Sequence, residues 1–130
     1  MLVTLDDVKV MFVVSANGPQ GAGLAFDRLE ACLPSLKRRK FYGTLLNGEY
    51  RACVAIEAQD APAAMGLPTW VIPGGAYARR KLPRWSERLP EIGETFRAMA
   101  AEFPADPARP NVEFYRSQQE LLLFMAVASG

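Results

Sequence analysis

From Val8 to Val14 the chain is apolar and mostly β-branched, with Lys9 the only polar residue, which predicts a strand. It runs into Ser15-Ala16-Asn17-Gly18-Pro19, a cluster whose members favour turns. Between Gly21 and Leu36 the apolar residues fall at Ala22, Ala25, Phe26, Leu29, Cys32, Leu33 and Leu36, with Asp27, Arg28 and Glu30 on the other side. That spacing predicts a helix, which Pro34 ends or frays. Phe41–Leu46 and Glu49–Glu57 then flank Asn47-Gly48, a dipeptide that tolerates the positive φ angles of a tight hairpin. In the second of these strands Tyr50, Ala52, Val54 and Ile56 share one face and Glu49, Arg51, Cys53 and Glu57 the other.

The Ala- and Pro-rich stretch Ala58–Pro68 is a connector. Thr69–Ala78 is read as two extended pieces around the bend Pro73-Gly74-Gly75. From Glu91 the stripe Ile92, Phe96, Met99, Ala100 and Phe103 predicts a second helix, with Pro90 in its first turn and Pro104 closing it. Asp106–Asn111 is a loop, followed by a strand over Val112–Arg116, a turn at Ser117-Gln118-Gln119 and a last strand over Leu121–Ala128.

The elements thus run strand, helix, strand, strand, connector, and then the same four again. Gly23-x-x-Phe26 in the first helix answers Gly93-x-x-Phe96 in the second, and Phe41-Tyr42 answers Phe114-Tyr115. The chain reads as a single α+β domain built from two copies, about 8–57 and about 69–128, joined by a connector at about 58–68. The sheets are antiparallel, with helices on one side. Each copy has one helix and covers one sheet face, so the faces turned away from the helices should meet at a cleft, the natural place for a ligand.

Composition narrows the chemistry. The 130 residues are 50% hydrophobic and 22% charged, enough for a core, and a net charge of +1 gives no basic surplus for nucleic acid or an anionic membrane. There is no histidine, which excludes Ser-His-Asp and Cys-His nucleophile systems, His-containing metal sites and imidazole proton transfer. Two cysteines, Cys32 and Cys53, are too few for a disulfide framework or a thiolate metal cage and fit a reducing cytoplasm. Met1–Val10 carries Asp6 and Asp7 and has no signal-peptide pattern, and no apolar run approaches the roughly 20 residues of a membrane span. No metal and no cofactor is expected. Gly18–Gly23 matches neither dinucleotide nor P-loop spacing, Lys37–Lys40 and Arg79–Lys81 read as solvated charge, and Cys53 as inert packing.

Strand alternation places Val112 and Phe114 on one face and Glu113 and Tyr115 on the other. With the apolar pair against the helix, Glu113 and Tyr115 should point into the cleft. A carboxylate there either carries a raised pKa or meets a cation, with Lys40, Arg51, Arg79 and Arg116 as candidates. Trp70, Tyr77, Trp85, Tyr115, Phe12 and Phe41 are the aromatics available to wall such a site, and an acidic group ringed by aromatics suits an organic cation.

Trp70-x-Ile72-Pro73-Gly74-Gly75-x-Tyr77-Ala78, the two Gly-x-x-Phe helices and Val112-Glu113-Phe114-Tyr115 before a final apolar strand resemble the GyrI-like (gyrase-inhibitor-like) small-molecule-binding domain, over about Val8 to Val127. The resemblance implies tandem β-α-β-β (SHS2) units, found alone or as effector domains of AraC- and MerR-type bacterial regulators. It also implies a buried glutamate that meets lipophilic cations, at Glu113. The chain has no helix-turn-helix segment, so direct DNA binding is not expected. Three readings follow: a stand-alone multidrug-type binder of hydrophobic cations, with Glu113, Tyr115, Trp70, Tyr77, Trp85, Phe12 and Phe41 as the site; a hydrolase of cyclopropane-bearing alkylators, with Glu113 handling the proton beside Tyr77; or a protein-interaction module such as a gyrase inhibitor, whose partner the residues do not specify.

Overall fold

A computed structural model describes residues 1–128. Eight strands form one antiparallel sheet: β1 (Leu2–Leu5), β2 (Val8–Val14), β3 (Phe41–Leu46), β4 (Glu49–Ala55), β5 (Thr69–Ile72), β6 (Gly75–Pro83), β7 (Asn111–Tyr115) and β8 (Glu120–Ala126). Helix α1 (Ala22–Ala31) follows β2, the single-turn α2 (Pro62–Met65) lies in the connector, and α3 (Leu89–Glu102) follows β6. The hairpin turn between β3 and β4 is built as its sequence requires, with Asn47 at φ 52° and Gly48 at φ 80°.

The strand order is β1-β6-β8-β7-β3-β4-β2-β5. Five strands separate β1 from β2, a distance of about 29 Å in a flat sheet, yet the two-residue link Asp6-Asp7 spans no more than about 11 Å. The sheet must therefore curl, and the Pro73-Gly74 link between β5 and β6 imposes the same closure from the other edge. The two links meet: the Gly74 N–H donates to Asp7 Oδ1 at 2.7 Å.

The repeat unit gains a leading strand: β5 is the first of the two extended pieces read around Pro73-Gly74-Gly75, while β1 is not announced by the hydrophobic pattern. β1 and β5 each precede a unit and pair with the other unit's first long strand, β1 with β6 and β5 with β2. Val10 facing Ala55 answers Tyr77 facing Ala126, and Gly43 facing Ala52 answers Glu113 facing Leu123. Gly43 and Glu113 also face each other where β3 meets β7, so the local two-fold axis passes between them. This corrects an equivalence drawn from sequence: Phe41-Tyr42 and Phe114-Tyr115 are cross-strand partners, Phe41 facing Tyr115 and Tyr42 facing Phe114.

Both sheet faces are buried. On one, α1 covers Met11, Ala52 and Val54 with Ala25 and Leu29, and α3 covers Ala78, Leu121, Leu123 and Met125 with Met99. Each fully buried Leu or Met contributes about 1.5–3 kcal/mol. On the other, the curl brings Val10, Phe12, Cys53, Tyr77, Val112, Leu122, Phe124 and Ala126 together as a second core. The faces turned from the helices therefore pack on each other. The expectation that Val112 and Phe114 lie against a helix is reversed: both belong to this inner core, and Glu113 and Tyr115 point to the helix-bearing side. Other boundaries shift as well. α1 stops at Ala31, three residues before Pro34, and Arg79-Arg80-Lys81 lies inside β6, paired with Phe124, Leu123 and Leu122.

Candidate functional site

On the helix-bearing face, at the joint between the units, β7 presents Glu113 and Tyr115 and β4 presents Tyr50. The tyrosines are brought to the carboxyl group by register: β3 lies between β4 and β7, and Gly43 of β3 faces both Ala52 and Glu113. A Cβ on Gly43 would stand 1.9 Å from Tyr50 Oη and 2.6 Å from Glu113 Oε1. Glycine inside a strand here permits two side chains to cross over the backbone.

Glu113 is 9% exposed and Tyr50 1%. Tyr50 Oη donates to Glu113 Oε1 at 2.7 Å and Tyr115 Oη donates to the same oxygen at 2.6 Å, the two hydroxyls lying 3.3 Å apart. Among the described residues no donor reaches Oε2 and no cation pairs with Glu113. Arg51 instead pairs with Glu49, and Arg116 with Glu120. Burial pushes the Glu113 carboxyl above the usual carboxylate range, while the hydroxyls of Tyr115 and Tyr50 pull it back down. Burial, and then the nearby Glu113 charge, pushes both tyrosines above the ordinary phenol value, so they remain donors.

Aromatic rings close over this cluster. Phe26 of α1 meets Tyr115 edge-on at 5.2 Å, and also Phe41 and Tyr50, each at 6.4 Å. From the other side Trp85 meets Tyr115 at 5.0 Å. Trp85 is held by its indole N–H on the Ser117 carbonyl, in a short 3₁₀ turn that Arg84 enters at φ 51°. The buried carboxyl group is thus held by two tyrosines that Phe26 and Trp85 in turn pack against, an aromatic setting suited to a desolvated organic cation.

Of the residues singled out from sequence, the structure brings together Glu113, Tyr115, Trp85 and Phe41. Trp70, Tyr77 and Phe12 lie on the opposite face, with the inner core. Tyr77 is fully buried, donates to the Pro73 carbonyl at 2.6 Å and stacks under Arg109, which ties the loop before β7 to β6 and β8. That is a structural post. Tyr50, Phe26 and Gly43 are the additions. Two signals in the sequence were available for them, a mid-strand glycine and a tyrosine on an apolar face whose hydroxyl must find a partner. Cys53 is buried and its thiol is pushed up to about 12, chiefly by burial, as inert packing requires.

No protein-family model and no curated protein matches the chain. Among solved structures, an integron cassette protein from the mobile metagenome of Vibrio cholerae is similar with a TM-score of 0.67 and 16% identity, over 98% of this chain and 95% of that one. A protein solved bound to tetraphenylphosphonium is similar with a TM-score of 0.63 and 11% identity, over 99% and 93%. A hydrolase from Listeria innocua follows with a TM-score of 0.62 and 11% identity, over 98% and 90%. The chain shares their fold. No helix of the described residues is long and apolar enough to cross a membrane.

Proposed function

We propose that the protein binds lipophilic, aromatic cations at Glu113, as a GyrI-like small-molecule-binding domain. The observation that carries this reading is the carboxyl group of a residue only 9% exposed, with both tyrosine donors on Oε1 and no cation on it among the described residues. An ionised carboxylate in that position is costly to bury alone and is best compensated by a cation that needs no water. Phe26, Phe41, Tyr50, Tyr115 and Trp85 supply π faces and edges around it. The likeness to a structure holding tetraphenylphosphonium supports the same class of ligand.

A hydrolase reading would use the same carboxyl group. Oε2, which carries no hydrogen bond among the described residues, is open to a water and to a cation alike; the likeness to a structure holding tetraphenylphosphonium favours the cation. Calorimetric titration with tetraphenylphosphonium tests the binding reading. Saturable binding to the wild type, weakened at least about tenfold in Glu113→Gln, is expected from the loss of a desolvated charge pair. Equal affinity in Glu113→Gln overturns it.

A further inference from the structure

The inner face carries a feature that the Glu113 site does not use. A cavity of about 340 Å³, lined by Thr44, Leu46, Asn47, Glu49, Arg51 and Trp70, opens beside the β3–β4 hairpin. Its origin lies in the broken symmetry of the repeat. The register that makes Gly43 the counterpart of Glu113 makes Thr44 the counterpart of Phe114 and Arg51 that of Leu122. In the second unit Phe114 stacks on Tyr42 at 4.9 Å, and Leu122 is buried in the core. The first unit has a threonine where the second has a ring, and a guanidinium where the second has an isobutyl group. The space is therefore both empty and polar.

Arg51 is fixed in place. Its Cζ lies 4.4 Å from the Phe12 ring centroid and 4.6 Å from that of Trp70, two rings set edge-to-face at 71°. Its Nε donates to Glu49 Oε2 at 2.7 Å. Nη1 and Nη2 donate to no acceptor among the described residues. A guanidinium held this way offers a preoriented pair of N–H groups that matches the two oxygens of a carboxylate. Glu49 is 46% exposed on its side chain, so water screens its charge from a second anion. The volume stands near the lower end of small-molecule sites, about 300–1,000 Å³, and suits one aromatic ring lying against Trp70.

We propose that this cavity is a second ligand site, for a small aromatic carboxylate held end-on by Arg51 and stacked on Trp70. It shares no side chain with the Glu113 site and lies on the other face of the sheet, so it stands or falls separately.

The chain has two tryptophans, one in each site, which gives a selective readout. In Trp85→Phe, excited at the red edge of indole absorption where tyrosine does not absorb, only Trp70 fluoresces, and benzoate is the probe. A saturable change in Trp70 emission with benzoate is expected. It should weaken about tenfold or more with benzyl alcohol in place of benzoate, and likewise in Arg51→Lys, which keeps the charge but loses the fork. Thr44→Phe, which fills the cavity as Phe114 fills its counterpart, should abolish the response. Adding Glu113→Gln should leave it unchanged. No saturable response to benzoate, an equal response to benzyl alcohol, or full affinity in Arg51→Lys each overturns the proposal. Arg51→Lys and the alcohol comparison decide the matter even where Thr44→Phe does not fold.

Discussion

Gly43 and Glu113 face each other across the joint between the two units, and the carboxyl group of one, with the hydroxyl of Tyr50, fills the space a side chain on the other would need. The two-fold symmetry of the repeat is broken at its axis: glycine on one strand makes room for the acid on the other.

Gly43→Ala tests that dependence. The added methyl cannot coexist with Tyr50 Oη at 1.9 Å, so the tyrosine must leave Glu113 or the strands must part. A loss of about 1–3 kcal/mol in urea unfolding is expected, the usual cost of overpacking a close-packed interior. A midpoint equal to that of the wild type would show that the crossing over Gly43 is not tight.

Glu113 should make stability fall with rising pH. Its folded pKa lies above the ordinary value of 4.5, so the folded chain holds this proton more firmly than the unfolded one. The contribution is fully present below the ordinary value and is lost as pH rises through the raised one. Asp60 works in the opposite direction, held low by the Arg39 guanidinium, and its contribution is lost in acid. The comparison with Glu113→Gln isolates the first effect, because both proteins keep Asp60. Denaturation at about pH 5 and about pH 8 should show wild type losing stability relative to Glu113→Gln at the higher pH. A constant difference between the two would contradict the burial account.

The tyrosines should tune ligand affinity through the same proton. In the binding proposed above tetraphenylphosphonium pairs with the carboxylate, so its affinity should rise with pH in the wild type and stay flat in Glu113→Gln. Tyr50→Phe or Tyr115→Phe removes a donor that favours the charged form, so the midpoint of this rise should move to higher pH. Calorimetric titrations across pH check it, and a midpoint that moves down or not at all contradicts the role given to the hydroxyls.

Alternation and turn chemistry made most of the fold legible: the hairpin at Asn47-Gly48, the two helical stripes and the duplicated order all follow from side-chain period. Which face of a strand meets a helix was not legible, because the curl buries both faces. Val112 and Phe114 look like a helix-packing pair, and the inner core takes them for the same apolar reason. β1 escaped notice because Leu2–Leu5 is short, half exposed and paired only with a strand more than seventy positions along the chain. Glu113 and Tyr115 stood out as a polar pair in an apolar setting. Tyr50 did not, because its ring sits on a face shared with Ala52 and Val54 and only its hydroxyl meets Glu113. Trp70 and Phe12 share the aromatic character of the rings near Glu113 but pack on Arg51 on the other face of the sheet, a placement that residue type alone does not reveal.

The connector is fastened by one buried ion pair, and its removal should be felt globally. Arg39 donates to Asp60 through Nη1 at 3.0 Å and Nη2 at 2.8 Å, with side chains 4% and 3% exposed, and Nη2 also reaches the Ala55 carbonyl. Asp60 in turn accepts the Glu57 N–H at 2.7 Å. Glu57, 35% exposed and 3.5 Å from Arg39, is too wet to replace it. Asp60→Asn leaves the guanidinium buried against a neutral amide and should cost about 3 kcal/mol, the penalty of stranding one partner of a buried pair. The double variant Arg39→Met with Asp60→Asn removes the stranded charge while keeping an acceptor for Glu57. It should therefore be more stable than Asp60→Asn alone, and urea unfolding of the wild type, both single variants and the double variant reads this directly. A double variant that loses the sum of both single losses would mean that Arg39 and Asp60 act independently, and the clamp would then be two unrelated contacts.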